Sequence, residues 1–319
     1  MRAAFTAACR ERSSANSRPP AETRGGGSFV EPFGHFARCR QARDLIAETQ
    51  LTRTASLPMY NLPEMRAANA RFWEALQGLL REAGLEDVPE TLLFERPPVP
   101  DQIGPEVLFT QVCGYPLETV FAGQAVRLGA PCYDAPGCDG PTHRAWFVVR
   151  DEAPARTLAD LKGSVFLLNS PVSNSGMNLP RRALVEIAGG QRFFRAVVET
   201  GGHPASLDGL LRGDGDVASI DCVTYAFWSH YRPEAAAQLR VIGETPSSPA
   251  IPFVTPVSTP PETVELLRAA LRHLMDEPRY ESVRRGLRLT DISDVPDGAY
   301  RGLLDYAQEA AALGYPVLA

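Results

Sequence analysis

Apolar residues recur at three- and four-residue spacing in one early segment, Met65, Ala68, Phe72, Leu76 and Leu79, and that spacing predicts a helix with one buried face. Pro63 suits its first turn and Gly84 its stop. Short apolar runs predict strands at Ala55–Met59, which leads into Tyr60, and at Thr91–Phe94, Val107–Val112, Ala125–Ala130 and Ala145–Val149. A second alternating series follows: a strand over Ser164–Leu168, a helix over Met177–Ala188, a strand over Phe194–Val198, a helix over Ser206–Leu211 and a strand over Val217–Ile220. Leu239–Ile242 adds a strand, and Pro261–Met275 and Tyr300–Leu313 read as late helices. Strands separated by short helices predict an α/β fold of parallel β-α-β units, with helices on both faces of the sheet.

Two joints interrupt this alternation. Arg150–Pro154 is polar and Pro249–Pro256 is proline-rich, and together they bracket residues 155–248. The bracket predicts two α/β lobes: a discontinuous first lobe over residues 51–152 and 250–319, and a second lobe over 153–249 inserted into it through two crossings. Residues 1–50 differ from both lobes. They carry eight arginines against five acidic residues, a triple glycine at 25–27, and no apolar period. They read as a disordered N-terminal tail. Ala3–Cys9 is a short apolar stretch broken by Thr6 and followed by Arg10-Glu11-Arg12, which makes a poor signal peptide. The tail is either a targeting sequence or an over-extended translation start, with the protein proper beginning near Leu51.

Charge narrows the function classes. The net charge is −6, and with +3 in the first fifty residues the remainder carries −9, which argues against wide contact with a nucleic-acid backbone. No window reaches the roughly 20 apolar residues of a membrane-spanning helix. Lys162 is the only lysine, so little is left for chemistry that needs an amine. There is no GxSxG, GxGxxG or Walker pattern, and an enzyme reading has no anchor. His143, His203 and His230 show no zinc spacing with the six cysteines; neither metal nor cofactor is expected. Cys132 and Cys138 flank a turn that could close a small disulfide in an oxidising compartment.

The best chemical signal is Asn169-Ser170-Pro171-Val172-Ser173-Asn174-Ser175-Gly176-Met177-Asn178, between a predicted strand and a predicted helix. Ligands of open α/β sheets bind beyond the carboxyl ends of strands, and a helix start offers free N–H groups to an anion. Ser173, Ser175 and Gly176 would form a neutral oxyanion cradle; plain N-capping is the bland alternative. Two more strand ends carry polar or aromatic groups, Gln111 to Tyr115 and Ser219 to Asp221. His203 precedes a further helix and either faces this cleft or sits in solvent. A carboxylate beside such a cradle accepts a hydrogen bond from a P–OH group or pairs with an ammonium, so Asp221 would favour monoprotonated phosphate-like ligands over sulfate. Capping of the next helix is the other reading of Asp221.

Ser56–Tyr60, Gln111–Pro116, Ser173–Gly176 and His203 with Asp216–Asp221 resemble, in order and spacing, the phosphate-, phosphite- and phosphonate-type substrate-binding proteins of ABC transporters, the PhnD-like group. The resemblance runs from about Ala55 to Leu289. It implies a type II periplasmic-binding fold, a two-stranded hinge, and closure on a small oxyanion between the lobes. It also implies that Tyr60, Tyr115, Ser173, Asn174, Ser175, His203 and Asp221 contact the ligand, a set to which the strand and helix ends read above add Gln111 and Gly176, and it implies an inner-membrane ABC permease as partner and a periplasmic location. Two other readings stay open: an enzyme on the same fold, such as a pyrimidine-precursor synthase, and a cytoplasmic ligand sensor.

Overall fold

The computed structural model describes residues 52–98, 100 and 102–319. Two five-stranded sheets organise them. The first takes β1 (Thr54–Ala55), β2 (Val107–Gln111), β3 (Ala125–Tyr133), β11 (Phe253–Pro256) and β12 (Leu289–Ser293), in the order β1-β2-β11-β3-β12. The second takes β5 (Ala145–Arg150), β6 (Val165–Leu168), β7 (Ala196–Glu199), β8 (Val217–Asp221) and β9 (Leu239–Glu244), in the order β7-β6-β8-β5-β9. Between them runs a two-stranded antiparallel ribbon of β4 (Thr142–His143) and β10 (Ser248–Pro249).

Helices cover the sheets: α1 (Arg66–Glu82) and α2 (Gly114–Glu118) before the first crossing, and α3 (Leu179–Ala188), α4 (His203–Arg212), α5 (Cys222–Tyr231) and the short α6 (Pro233–Ala236) after it. Then come α7 (Pro261–Asp276), α8 (Glu281–Gly286) and α9 (Asp297–Ala312). The apolar face of α1 buries Ala68, Phe72, Leu76 and Leu79, the face its spacing predicts, together with Trp73 and Leu80. Strands β2, β8 and β11 are buried at every position, as strands covered on both faces must be.

Several details depart from the sequence expectations. The sheets are mixed, not parallel: β11 runs antiparallel to β2 and β3, and β5 runs antiparallel to β8 and β9. Chains that cross between sheets return without a helical crossover, and antiparallel pairing needs none. Phe253–Pro256, expected as part of a proline-rich joint, is the middle strand of the first sheet. Its prolines fall at the ends, at Pro252 and Pro256, leaving Phe253, Val254 and Thr255 to carry the ladder. Thr91–Phe94 is a loop with one bridge, Leu92 to Ala55. Ala145–Arg150 belongs to the second sheet, so the first crossing lies at the ribbon, ahead of residue 145, rather than at 150–154.

The expected assignment of residues 250–319 to the first lobe also needs correction, because α9 packs on both sides. Tyr300 and Leu303 face α2, with Leu303 close against Gly114, while Ala310, Tyr315 and Leu318 join the core around β6 and α3. The Phe193 amide donates to the Ala319 carbonyl at 2.7 Å. Residues 1–50, expected as a tail, lie outside the described residues.

Phe253 is 1% exposed and meets Phe72 and Phe109 with ring centres 5.7 and 5.1 Å away. Phe253→Ala should lower the unfolding free energy by about 3–5 kcal/mol, the range for a buried Phe cut to Ala. Urea denaturation would measure it, and a loss below about 1 kcal/mol would show that this aromatic stack is not central to the first sheet.

Candidate functional site

Strand β6 ends at Leu168, and the chain then turns through Asn169–Ser173 into a wide, π-type turn over Asn174–Asn178 that opens α3. Ser173 has extended backbone and its hydroxyl oxygen accepts the Gly176 N–H at 3.0 Å, an N-cap. The hydroxyl proton of Ser173 is left for another partner. Gly176 is required by close packing: a Cβ there would lie 1.7 Å from Asn169 Oδ1 and 3.3 Å from Ser173 Oγ. The turn is therefore folded against the end of its own strand. Asn174 Nδ2 donates to Ser248 Oγ on the ribbon at 3.0 Å, and Asn178 Nδ2 donates to the Leu303 carbonyl of α9.

In front of this turn lies a cavity of about 430 Å³. The first-lobe side supplies Met59, Tyr60, Asn61, Leu62, Met65, Phe94 and Arg96; the second-lobe side supplies Asn169, Ser170, Ser173, Gly202, His203, Thr224 and Phe227. Five of these residues hold a buried polar atom without a protein partner: Tyr60 OH, Asn61 Oδ1, Arg96 Nε, Asn169 Oδ1 and His203 Nδ1. Several of their other polar atoms have protein partners. Asn61 Nδ2 donates to the Phe94 carbonyl at 2.7 Å, an Arg96 terminal nitrogen donates to the Gln102 carbonyl, and His203 Nε2 meets Ser175 Oγ at 2.8 Å. Burial pushes the His203 imidazole down to about 4, so the ring is neutral near pH 7. With Ser175 donating to Nε2, the remaining ring proton sits on the unpartnered Nδ1. Glu64 and Arg232 form an ion pair at 2.9 Å between the turn before α1 and the end of α5.

Behind the wall lies a buried charge pair. His143 Nδ1 and Asp221 Oδ2 are 2.6 Å apart, each side chain 1% exposed, and Asp221 Oδ1 accepts the Thr224 N–H at 2.9 Å. Burial works against both charges, yet the mutual attraction prevails: the Asp221 carboxyl is held below the usual carboxylate range and the His143 imidazole above the usual histidine value. Tyr60 sits edge-on to Tyr133, ring centres 5.2 Å apart. Burial first, and then the Asp221 charge, push the Tyr60 hydroxyl far up, so it remains a neutral donor.

Of the nine residues expected at the site, Tyr60, Ser173 and His203 line the cavity. Ser175, Asn174, Gly176 and Asp221 stand one layer back, against His203, Ser248, Asn169 and His143 respectively. Gln111 lies in a small adjoining hollow, where its Nε2 donates to Tyr133 OH at 3.4 Å. Tyr115 is not among the lining residues; it opens α2, whose neighbour is α9. Of the expected oxyanion cradle of Ser173, Ser175 and Gly176, only Ser173 lines the cavity, and both oxygens of Asp221 are engaged by protein. Four wall or support residues carried no usable signal. His143 reaches Asp221 across 78 residues, Arg96 lies in a loop expected as a strand end, and Phe94 and Phe227 look like any core aromatic. Cys132 and Cys138 are both unbonded: Cys132 Sγ meets Ser293 Oγ, and Cys138 Sγ meets Cys222 Sγ.

Gly176→Ala should destabilise the chain by about 1–3 kcal/mol, because the new methyl must displace the Asn169 amide; an unchanged urea midpoint would show that the turn opens freely. His203 has a folded value below its unfolded one, so its contribution to stability is complete above about pH 6.5 and is lost as pH falls toward 4. At pH 4 that loss is about 3 kcal/mol. His203→Asn should therefore flatten the acid side of the stability profile by this amount, measured by denaturation between pH 7 and pH 4. Coincident profiles for the two proteins would mean that the ring takes up its proton freely in the folded chain.

The chain matches XAC2383 from Xanthomonas citri, a structure bound to ATP, at 16% identity and a TM-score of 0.59, covering 82% of this chain and 98% of that one. It matches PA3383 from Pseudomonas aeruginosa, a binding protein component of an ABC phosphonate transporter, at 14% identity and a TM-score of 0.59, covering 82% and 88%. It also matches PhnD1 from Prochlorococcus marinus in complex with methylphosphonate, at 12% identity and a TM-score of 0.56, covering 82% and 99%. These likenesses establish the type II periplasmic-binding fold. No curated protein matches the chain at a significant level. The family profile described as "ABC transporter, phosphonate, periplasmic substrate-binding protein" matches residues 120–300, and the chain belongs to that family.

Proposed function

We propose that the cavity takes a phosphonate or a related phosphate-like oxyanion, holds it without chemical change in the periplasm, and presents it to an ABC permease. The observation that carries this reading is the convergence of unpaired polar atoms. Tyr60, Arg96 and His203 line one cavity, and each carries a buried polar atom with no protein partner: Tyr60 OH, Arg96 Nε and His203 Nδ1. All three can donate with His203 in the tautomer described above, and Ser173 adds a hydroxyl proton. Buried donors left unpaired are unfavourable, and an anion bound there satisfies them together. Arg96 supplies a permanent positive charge, and the Asn169–Gly176 turn holds its side of the site in shape. Asp221 acts from the second layer: it fixes His143 and caps α5, and its charge adds to the burial that holds Tyr60 protonated.

The cavity also has an apolar share in Met59, Met65, Phe94 and Phe227, which suits an organic substituent on phosphorus. PhnD1, similar in fold, is in complex with methylphosphonate, an oxyanion head bearing an apolar group. The donors come from both lobes, so a ligand held by all of them bridges the lobes. Closure would bend the chain at the β4–β10 ribbon.

Titration calorimetry with methylphosphonate, larger alkylphosphonates, phosphate and sulfate tests this reading. Phosphonate or phosphate should bind. Tyr60→Phe should reduce affinity roughly tenfold or more through loss of one charge-assisted hydrogen bond, without lowering the stability of the free protein. The proposal fails if none of these anions binds the wild type, or if Tyr60→Phe binds as tightly as wild type.

A further inference from the structure

The loop after β3 makes a contact outside the cavity. It runs from Asp134 to Pro141 and delivers the chain to β4 on the ribbon. Within it the Cys138 amide donates to the Ala135 carbonyl at 3.0 Å, closing a tight turn. Gly137 has φ +93°, and a Cβ on it would lie 2.5 Å from the Trp146 ring and 3.0 Å from Cys222 Cβ. The glycine thus lets the loop press directly onto the first residue of α5. There the two sulfurs of Cys138 and Cys222 meet at 3.6 Å, and a disulfide requires about 2.0 Å. Small side-chain rotations span that difference, with no transfer of either residue between elements. Cys132, nearer in sequence, points its sulfur toward Ser293 on β12 instead.

We propose that Cys138 and Cys222 form a disulfide under oxidising conditions, a covalent staple between the first interlobe crossing and the start of α5. The oxidant is a disulfide-bearing thiol carrier, such as oxidised glutathione or a thiol–disulfide oxidoreductase. Cys138 is half-buried and Cys222 is fully buried, which sets the order of attack. The Cys138 thiolate attacks one sulfur of the carrier's disulfide and expels the carrier's other sulfur as a thiolate. Cys222 then loses its proton and attacks Cys138 Sγ in the mixed disulfide, expelling the second carrier thiolate. Two electrons and two protons leave the pair, and the carrier departs as two thiols. The bond closes a loop of chain between residues 84 apart in sequence, which restricts the unfolded chain. Its sulfurs also adjoin Asp221, so the staple restrains the segment that carries the His143–Asp221 pair. The contact with Cys138 first, and burial next, raise the Cys222 thiol well above its ordinary value.

The test uses the full chain, oxidised with glutathione disulfide or kept reduced, then alkylated and cut with trypsin and an aspartate-directed protease. These cuts separate Cys138, in fragment 134–138, from Cys132, and place Cys222 in fragment 221–240. Mass spectrometry of the oxidised chain should recover the two fragments joined, 2 Da lighter than their sum. The melting midpoint of the oxidised wild type should exceed that of the reduced protein by roughly 5 °C or more. Cys138→Ser should abolish both the joined fragment and the redox-dependent shift. Recovery of fragment 134–138 with its thiol alkylated after oxidation, or joined to any fragment other than 221–240, overturns the proposal. Ligand titration does not enter this test, so its outcome is independent of the function proposed above.

Discussion

An imidazole and a carboxylate, both shut off from water, hold the junction on which the rest of the molecule turns. His143 comes from the ribbon between the sheets and Asp221 from the end of β8. The buried carboxylate would not be tolerated there alone: removing the partner of a buried charge typically destabilises by about 3–5 kcal/mol. Their contact fixes the path of the crossing chain, and the second oxygen of Asp221 fixes the start of α5. Thr224 and Phe227, which follow on that helix, reach the cavity wall. A single buried interaction therefore sets lobe connection, helix direction and one side of the ligand cleft.

The opposite support is made of backbone and small side chains. The wide turn after β6 is held by a cap from Ser173, by contact of Asn169 with Gly176, and by amide bonds from Asn174 to the ribbon and Asn178 to α9. The residues facing the cavity are consequently few, while those holding them are many. That division accounts for the fate of the serine-rich segment. It lies where an α/β sheet places its ligands, but most of its polar groups brace the wall and do not line it.

Local pattern carried much of the fold. The α1 stripe, the strands at β2, β6 and β8, and the helix after Asn178 follow from spacing that a short window contains. What required long-range contact was not legible in the same way. Phe253–Pro256 sits among prolines, and only its partners β2 and β3 make it a central strand. Ala145–Arg150 looks equally at home in either sheet until its pairing with β8 is known. At the site, Ser173 and His203 were visible because each adjoins a helix start, and Tyr60 because it matches the early tyrosine of the family. Arg96 and His143 were not, because a loop arginine and a lone histidine acquire meaning only from what folds against them. Cys138 illustrates the same limit: sequence distance favoured Cys132, while the glycine beside it steers the loop to Cys222.

Helix α9 links the two sheets by a path separate from the ribbon. Its first turns rest on α2, its last turns and the residues beyond rest on the core around α3, and Arg182 pairs with Glu309 at 2.7 Å. A rod seated at both ends resists flexing at a joint beside it. Any swing of one lobe must slide or unseat one end of this rod, so the travel of the cleft is set in part by a helix that never meets the guest. Substitutions along α9 would then alter the speed of capture and escape while leaving the chemistry of recognition untouched.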